Sequence, residues 1–323
     1  MSDFTAIKAF CESKHGRALG LVVGKAARTE VLGNNLNRMD RFINNNLEVL
    51  SKYFMFVTAG TYKDVICDKT QSDNIWASKW KELNGFALRG GKVGGLVEMA
   101  SRIERRFVER RHGDRAHDVE GVIKVMILLS SPQDLEEAYP EVRALIRCAI
   151  RNNVILLTTY HALNHWAMYE ADGRTQCLTN EKVIGLIAHD GKKIEMCRWV
   201  VTHRHALRKF DRIITTGTTG ALVGDFLEAC GIPSDKIDRM YSGPKGGDVQ
   251  IAEEIINGNI EHVVFFVDPM TSHPHEADIQ TLYRICSLSE LKINLRITEA
   301  GASSWIRSYS NKTVEMASLI EAC

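Results

Sequence analysis

The sequence lacks an apolar run of about 18 residues, so nothing in it predicts a transmembrane helix. The first residues, MSDFTAIKAFCESKHGR, carry charges where an export signal needs an apolar stretch. The chain also lacks an excess of one charge, because its formal net charge is +1. Its overall field therefore favours neither nucleic acid nor an anionic membrane as a partner, and we expect a cytoplasmic protein that binds neither.

Paired cysteine motifs are also missing. None of the eight cysteines forms a CxxC pair, which argues against zinc ribbons and thioredoxin-like chemistry. In a cytoplasmic protein they are expected to be reduced thiols. The composition, with 45% hydrophobic and 25% charged residues, is that of a globular protein, and 323 residues suggest two domains.

The chain contains an internal repeat. Five stretches of the first half match five stretches of the second in the same order: Gly20–Val23 with Gly185–Ala188, Phe56–Thr61 with Ile213–Thr218, Gly90–Gly95 with Ser242–Gly247, Val125–Leu129 with Val263–Val267, and Thr159 and Trp166 with Thr298 and Trp305. Chance similarity seldom keeps such an order, so the repeat indicates two tandem domains.

The offset between the copies sets the domain boundaries. The offset falls from 165 residues, between Gly20 and Gly185, to 139 residues, between Trp166 and Trp305. The first copy therefore carries 26 extra residues, the largest block of which lies near Arg105–Asp118. The polar stretch near Asp172–Asn180 separates the copies. We therefore predict domains at residues 1–175 and 176–323.

Each copy alternates short β-branched runs with longer helical stretches. In the second copy the predicted strands are Val183–Ala188, Arg212–Thr215, Asp238–Met240, Val263–Val267 and Asn294–Thr298, and the predicted helices include Ala221–Cys230, Val249–Asn257 and Ala277–Leu288. This alternation predicts an α/β fold in each domain, with a mostly parallel sheet and helices on both faces. Ligands of such sheets bind beyond the carboxyl ends of the strands.

Polar and glycine-rich segments follow the predicted strands of the second copy. They are His189 and Asp190 with Lys193, then Thr216–Gly220 (TGTTG), then Ser242–Asp248 (SGPKGGD), and then Asp268 with His275 and Asp278. Glycines and a helix N-terminus suit the TGTTG loop to a phosphate, although a plain helix cap explains it as well. SGPKGGD is either a substrate loop ending in a functional Asp248 or a tight turn with a capping aspartate.

The histidines leave alternatives open as well. His189 and His275 are either site residues or packed side chains bonded to backbone. His273 and His275 have a spacing that can serve a metal, but further ligands are scarce, so no metal is expected. The convergence of carboxylates, histidines and a phosphate loop at one sheet end favours a functional site.

In this order, HD-x-x-K, T-G-T-T-G, S-G-P-x-G-G-D and D-P-x-x-x-x-P-H-x-x-D resemble the methylglyoxal synthase family over about 130 residues, from Val183 to about Trp305. The resemblance implies that Asp248 is the catalytic base, that His275 contacts substrate oxygens, and that Asp268 and Asp278 are supporting carboxylates. It implies substrate or phosphate binding by His189, Asp190, Lys193, Thr216, Gly217, Thr218, Thr219, Ser242 and Gly243. The family usually carries an arginine in a C-terminal tail, whereas this chain has none after Arg307.

The resemblance implies conversion of dihydroxyacetone phosphate to methylglyoxal and inorganic phosphate, without metal or redox cofactor. The competing hypothesis is a non-catalytic regulatory protein that binds a phosphate ligand, because the same domain type also occurs as an allosteric domain of carbamoyl-phosphate synthetase and in IMP cyclohydrolase.

The first copy is predicted to be non-catalytic. The alignment sets Gly24 opposite His189, Leu96 opposite Asp248, Ser131 opposite Asp268, Ala138 opposite His275, and Thr61 opposite Thr218. Leucine cannot abstract a proton. Single-domain members of the family form homohexamers, so the resemblance implies a homo-oligomer in which three two-domain chains would rebuild the six-domain ring.

Overall fold

The structure is a computed structural model that describes residues 17–25, 28, 31–32, 36–66, 85–104, 106–108, 117–119, 123–130, 139–172, 183–270, 276–288 and 291–307. The chain divides into two compact units, Met1–Leu156 and Leu157–Cys323. The second unit therefore begins upstream of residue 176. The predicted boundary between the two repeated copies, at 175/176, remains a prediction. No helix among the described residues is long and apolar enough to span a membrane.

The first unit holds most of the elements of the first half. Its strands are β1 (Ala18–Val23), β2 (Val31–Leu32), β3 (Leu36–Asn37), β4 (Phe54–Thr58), β5 (Gly85–Leu88), β6 (Arg106–Val108), β7 (His117–Val119) and β8 (Ile123–Leu129), and β9 (Ile155–Leu157) ends at the boundary. Its helices are α1 (Arg38–Asn45), α2 (Leu47–Ser51), α3 (Ala59–Thr61, continued by a π-turn over Tyr62–Ile66), α4 (Gly95–Ile103) and α5 (Tyr139–Arg151).

The second unit begins with a helix. Its strands are β10 (Val183–Ala188), β11 (Arg212–Thr215), β12 (Ile237–Arg239), β13 (His262–Phe266) and β14 (Asn294–Arg296). Its helices are α6 (Tyr160–Asp172), α7 (Lys193–Thr202), α8 (Arg204–Leu207), α9 (Gly217–Ala229), α10 (Gly247–Ile256), α11 (Glu276–Cys286) and α12 (residues 299–307).

Two five-stranded sheets with the same relative strand order form the cores of the units. The orders are β5-β4-β1-β8-β9 and β12-β11-β10-β13-β14. Neighbouring strands run parallel in the second sheet, as do β5-β4-β1-β8 in the first. The predicted α/β fold with two parallel sheets is confirmed. The residues added to the first copy before β8 include an antiparallel pair, β6 with β7.

Helices cover both faces of the second sheet, as its near-continuous apolar strands predict. One face packs Ile184 and Leu186 against buried side chains of α7, α9 and α12, including Trp199. On the other face a Cβ built on Gly185 would lie 3.9 Å from Cγ2 of Ile251 on α10. Polar side chains at the strand ends are therefore held between two rigid layers.

The strand register corrects two sequence alignments by one residue. Leu21 pairs with Val57 and Leu186 with Thr215, so Val57 occupies the place of Thr215, and Thr61 that of Thr219 rather than Thr218. The same comparison puts Ile127 opposite Val264. The sequence alignment slipped because runs of apolar residues and threonines match almost as well when displaced by one position.

The predicted helices begin too late in the sequence. Helix α9 starts at Gly217 instead of Ala221, and α10 starts at Gly247 instead of Val249. The glycines and threonines counted as loop are thus the first turns of these helices. Strands β10 and β11 have the predicted bounds, whereas β14 ends at Arg296, two residues before the predicted end.

A buried polar cluster lies between α6 and strands β13 and β14. The fully buried Arg296 donates from Nε to Asn294 Oδ1 (2.9 Å) and from Nη2 to the Ala162 carbonyl (3.0 Å). The His262 ring lies edge-on to that of His165, with 6.2 Å between the centroids. These contacts join α6 to the edge strand of the second sheet.

Burial keeps the histidines of this cluster neutral. It lowers the pKa of His165 to about 3, and His161 and Arg296 add to the effect. Burial likewise lowers the pKa of His262 well below its ordinary value, helped by the nearby histidines and Arg296. Protonating either ring would place a second cation beside a buried guanidinium.

We predict that acid destabilises the second unit through these rings. They are neutral in the folded unit and take up protons on unfolding, so their stability contribution is complete above the unfolded pKa of about 6.5. It is lost as the pH falls below that value, by about 1.4 kcal/mol per pH unit for each ring. Urea unfolding between about pH 7.5 and 5 measures the slope. His165→Gln should reduce the slope of the unfolding free energy against pH by the contribution of one proton, whereas the exposed His205→Gln should leave the slope unchanged. A wild-type profile without a slope contradicts the prediction.

Candidate functional site

The site predicted from the second copy lies at the carboxyl ends of β10, β11, β12 and β13. His189 directly follows β10 and is buried. Its backbone N–H donates to the Phe266 carbonyl (3.0 Å), and its Nδ1 accepts the backbone N–H of Asp268 (2.9 Å). Because Nδ1 is an acceptor, the neutral ring carries its proton on Nε2, which makes Nε2 a hydrogen-bond donor.

Asp268 lies against the turn that follows His189. Its Oδ1 accepts the Met270 N–H (3.0 Å). Its Oδ2 would lie 2.7 Å from a Cβ on Gly191, a separation that Cβ atoms essentially never show. Glycine at 191 therefore gives the carboxylate room, and the structure brings the predicted pair His189 and Asp268 into contact.

Lys193 and Asp190 form an ion pair in the first turn after β10. Lys193 Nζ donates to Asp190 Oδ1. The Asp190 side chain is 92% exposed and that of Lys193 only 16%. Such a pair contributes little to stability because water screens its exposed partner. The ammonium can consequently exchange this carboxylate for a ligand phosphate at small cost.

The threonine loop (Thr216–Gly220) contains hydroxyls in two different environments. Thr219 is fully buried, and its Oγ1 accepts from Thr216 Oγ1 (3.0 Å) and from the Ala188 N–H (3.3 Å) and donates to the Ala188 carbonyl (3.3 Å). Thr218 is exposed. The Thr219 hydroxyl therefore fastens α9 to the end of β10, whereas the Thr218 hydroxyl is accessible to a ligand.

The first unit contains the equivalent hydrogen bonds between the start of a helix and the end of a strand. Thr61 Oγ1 lies 3.0 Å from Thr58 Oγ1, accepts the Val23 N–H (3.0 Å) and donates to the Val23 carbonyl (3.3 Å). Since Leu96 stands there in place of Asp248, the threonine pair forms without a carboxylate at that position.

The SGPKGGD loop (Ser242–Asp248) contacts the threonine loop through backbone. The Gly217 N–H donates to the Tyr241 carbonyl (2.8 Å), and the Gly247 N–H donates to the Ser242 carbonyl (3.0 Å). A Cβ on Gly247 would lie 1.9 Å from the Tyr241 oxygen, so this position tolerates only glycine. Gly243 is buried, while Ser242 is half-buried. The backbones of both predicted phosphate loops thus meet at one point.

Asp248 is placed by the same turn. Gly246 has φ 92°, in the left-handed region that glycine adopts without strain, and α10 begins at the next residue. Asp248 lies in the first turn and is only 2% exposed. Leu96 takes the matching place on α4, after Gly94 with φ 98°, and is also buried. The two units therefore differ in chemistry at a position of the same geometry.

Two predicted residues cannot be placed. His275 lies outside the described residues, and the same holds for His273. Asp278 is on α11, but its side chain is not part of the description. Among the residues that are described, no three His, Cys, Asp or Glu side chains gather in a way that could hold a metal ion.

Sequence reasoning missed Gln250. Its Oε1 accepts the Tyr241 N–H (2.8 Å) from α10, two residues after Asp248. The repeat contained a usable signal, since Glu98 stands two residues after Leu96 and its Oε2 accepts the Arg89 N–H (2.9 Å). A shared acceptor side chain at this position indicates a shared backbone contact.

The comparisons with known proteins match the half of the chain that holds this site. A family model described as an MGS-like domain matches residues 198–293. The methylglyoxal synthase of Brucella anthropi is 43% identical over 118 residues, covering 36% of this chain and 90% of that relative. The methylglyoxal synthase of Thermus thermophilus is 39% identical over 127 residues, covering 39% and 95%. A crystal structure of methylglyoxal synthase from Elizabethkingia anophelis NUHP1 is 36% identical, covers 39% of this chain and 77% of that one, and has a TM-score of 0.34.

We predict that Thr218 and Thr219 respond differently to loss of the hydroxyl. Thr218→Val should weaken inorganic phosphate binding by about 1–3 kcal/mol with little change in stability, because it loses a charge-assisted bond to the anion. Thr219→Val should lower the free energy of unfolding by about 1–3 kcal/mol, because buried partners lose their bonds. Calorimetry and urea unfolding measure the two effects.

The matched control is Thr61→Val in the first unit. This variant removes the equivalent threonine hydrogen bonds and should lower the stability without changing the phosphate affinity. Unchanged phosphate affinity in Thr218→Val would place the anion elsewhere.

Proposed function

We propose a function on one premise: the chain belongs to the methylglyoxal synthase family through its C-terminal half. On this premise the second unit converts dihydroxyacetone phosphate to methylglyoxal and inorganic phosphate. The observation that carries the proposal is the burial of Asp248 in the first turn of α10, directly after the loop that contacts the threonine loop. A carboxylate and two anion-suited loops are thereby held on one rigid frame.

Asp248 acts as the base. Its carboxylate takes a proton from the hydroxymethyl carbon of the substrate, and the C–H electron pair forms an enediolate with the adjacent carbonyl. His189 donates from Nε2 to a substrate oxygen and so stabilises the developing negative charge. By the family resemblance, His275 serves the same oxygens, and Asp268 and Asp278 support the histidines.

Phosphate departs in the second step. The hydroxyl of the enediolate becomes the aldehyde carbonyl, and its proton passes to the departing phosphate. The existing carbon–carbon double bond shifts to the carbon that bears the phosphate, and the C–O bond breaks with its electron pair leaving on the phosphate. The resulting enol takes up a proton at carbon and becomes methylglyoxal. Lys193, Thr218, Ser242 and the backbone N–H of Gly243 hold the phosphate, since a cation, hydroxyls and a backbone N–H suit an anion. Gly217, which the resemblance also assigns to the phosphate, donates its N–H to the Tyr241 carbonyl and so positions the loop. Thr216 and Thr219 keep this loop in place.

The competing function is a regulatory protein that only binds a phosphate ligand. A buried carboxylate close to an anion site repels the anion, so a sensor gains nothing from Asp248. A base needs such a position, because it must reach carbon in a site that excludes water. The burial of Asp248 therefore favours the enzyme.

We also propose that the first half is a degenerate, non-catalytic copy. The shared strand order, the Thr58–Thr61 fastening and the turn before Leu96 support this reading. The copy lacks the two side chains with acid–base capacity, since Leu96 and Gly24 stand where Asp248 and His189 stand in the second unit. Loss of chemistry with preserved packing fits a domain that fills a subunit position in a ring of three chains.

Asp248→Asn tests the base. The amide keeps the shape but cannot accept the proton, so phosphate release from dihydroxyacetone phosphate should fall about 10²- to 10⁴-fold while inorganic phosphate still binds. Asp238→Asn, which alters a surface carboxylate paired with Arg212, is the control and should keep full turnover. Near wild-type turnover in Asp248→Asn would refute the mechanism.

Deleting residues 1–175 tests the role of the first half. The fragment should lose solubility or activity, because it loses the partner domain and also α6, whose Ala162 carbonyl accepts from the buried Arg296. A fragment from residue 157 keeps α6 and separates these two causes. Light scattering and phosphate release are measured on both fragments and on the full chain. The full chain is expected to have the mass of three chains. A soluble and fully active 176–323 fragment would make the first half an independent module.

A further inference from the structure

The backbone of Tyr241 joins three parts of the site. Its N–H donates to Gln250 Oε1 (2.8 Å), on the helix that carries Asp248. Its carbonyl accepts the Gly217 N–H (2.8 Å), at the start of the threonine loop. The next residue, Ser242, begins the second phosphate loop. Whatever fixes Tyr241 therefore fixes the base and both loops relative to one another.

The position of β12 explains why a side chain is needed at this point. This strand is at the edge of the sheet, next to β11. The Met240 N–H donates to the Thr215 carbonyl (2.8 Å), whereas the N–H of Tyr241, two residues beyond the end of the strand, donates to the Gln250 side chain (2.8 Å). Gln250 therefore supplies, from α10, the acceptor for a backbone N–H that follows the edge strand.

We propose that Gln250 is a positioning residue that holds the Asp248 helix at a fixed spacing from the two phosphate loops. The inference rests on the proposed function, because it assigns Gln250 a part in the same reaction. Gln250 takes no proton and is not argued to touch the substrate. It acts through the Tyr241 N–H, and displacement of a reacting group by about 1 Å can cost about 10²-fold in rate.

The first unit provides an internal comparison. There Glu98 accepts the Arg89 N–H (2.9 Å), and the Arg89 carbonyl accepts the Ala59 N–H (3.2 Å). The same two contacts thus form with a carboxylate as acceptor and with Leu96 in place of the base. A carboxylate at this position is consequently compatible with the backbone geometry.

The charge of the acceptor differs between the units for a physical reason. Glu98 lies 3.5 Å from the Arg89 guanidinium, which compensates its charge. Gln250 contacts Tyr241, which offers no such cation, and it is close to a site for a phosphorylated substrate. An amide accepts the same bond without adding negative charge there, so neutrality at position 250 favours binding of the anion.

The experiment compares Gln250→Met with Glu98→Met in the full chain. Each removes the side-chain acceptor of the equivalent backbone N–H, and Glu98→Met also removes the ion pair with Arg89. A merely structural role predicts small shifts in the unfolding midpoint and unchanged turnover for both. Positioning predicts that only Gln250→Met lowers kcat, by about 10- to 100-fold, while the inorganic phosphate Kd changes less than about threefold. A kcat within about threefold of wild type in Gln250→Met, or an equal loss in Glu98→Met, overturns the inference.

Gln250→Glu is the rescue variant. It keeps the acceptor, so kcat should return to within about threefold of wild type, and its added charge should raise KM by about 3- to 10-fold at low salt. A kcat as low as that of Gln250→Met would show that the acceptor is not what matters, which overturns the inference.

A failure of the proposed function is distinguishable from these results. If the wild type releases no phosphate from dihydroxyacetone phosphate, the proposed reaction is wrong, and amide hydrogen exchange at Tyr241 decides whether the contact exists. Exchange should be faster in Gln250→Met and unchanged in Gln250→Glu. Unchanged exchange in Gln250→Met would overturn the positioning role as well.

Discussion

The site depends on the close approach of three backbone segments at the carboxyl edge of the second sheet. Gly217 and Gly247 both contact the backbone around Tyr241, and a Cβ on either would come within 2.8 Å of a carbonyl oxygen. Without these glycines the threonine loop and the helix of Asp248 would be pushed apart. The distance between the proposed base and the proposed anion site governs the rate of the proposed reaction. This backbone constraint, together with the contact between Gln250 and the Tyr241 N–H, therefore sets the geometry on which the chemistry would rely.

Comparing the two units separates the scaffold of the motif from its chemistry. The Thr58–Thr61 and Thr216–Thr219 pairs fasten a helix start to a strand end in both units, and so do the contacts of Arg89 and Tyr241. The residues that differ are those with acid–base capacity, such as Leu96 against Asp248. The motif therefore contains two kinds of residue, some that hold the loops together and some that have acid–base capacity.

In the second sheet, the buried polar cluster and the candidate site involve different parts of the strands. His262 and Asn294 of this cluster begin β13 and β14, whereas His189, Asp248 and Asp268 follow the carboxyl ends of β10, β12 and β13. Burial keeps the histidines of the cluster neutral, so it tolerates one guanidinium but no further cation. Helix α6 takes part in this cluster, which ties a segment outside the family match to the unit that holds the site.

The sequence by itself determined the α/β class, the two sheets, the bounds of β10 and β11, and the position of His189, Asp268, Asp248 and the two predicted phosphate loops after the carboxyl ends of strands. These follow from periodicity and from the rule that parallel strands end on one side. Only the tertiary structure decided that the Thr219 hydroxyl joins α9 to β10 while the Thr218 hydroxyl is exposed, that Thr61 matches Thr219, and that Gln250 accepts the Tyr241 N–H. Each of these depends on strand register and on which hydroxyl or amide meets a backbone group from another loop. Local sequence does not specify such contacts, because residues far apart in the chain make them.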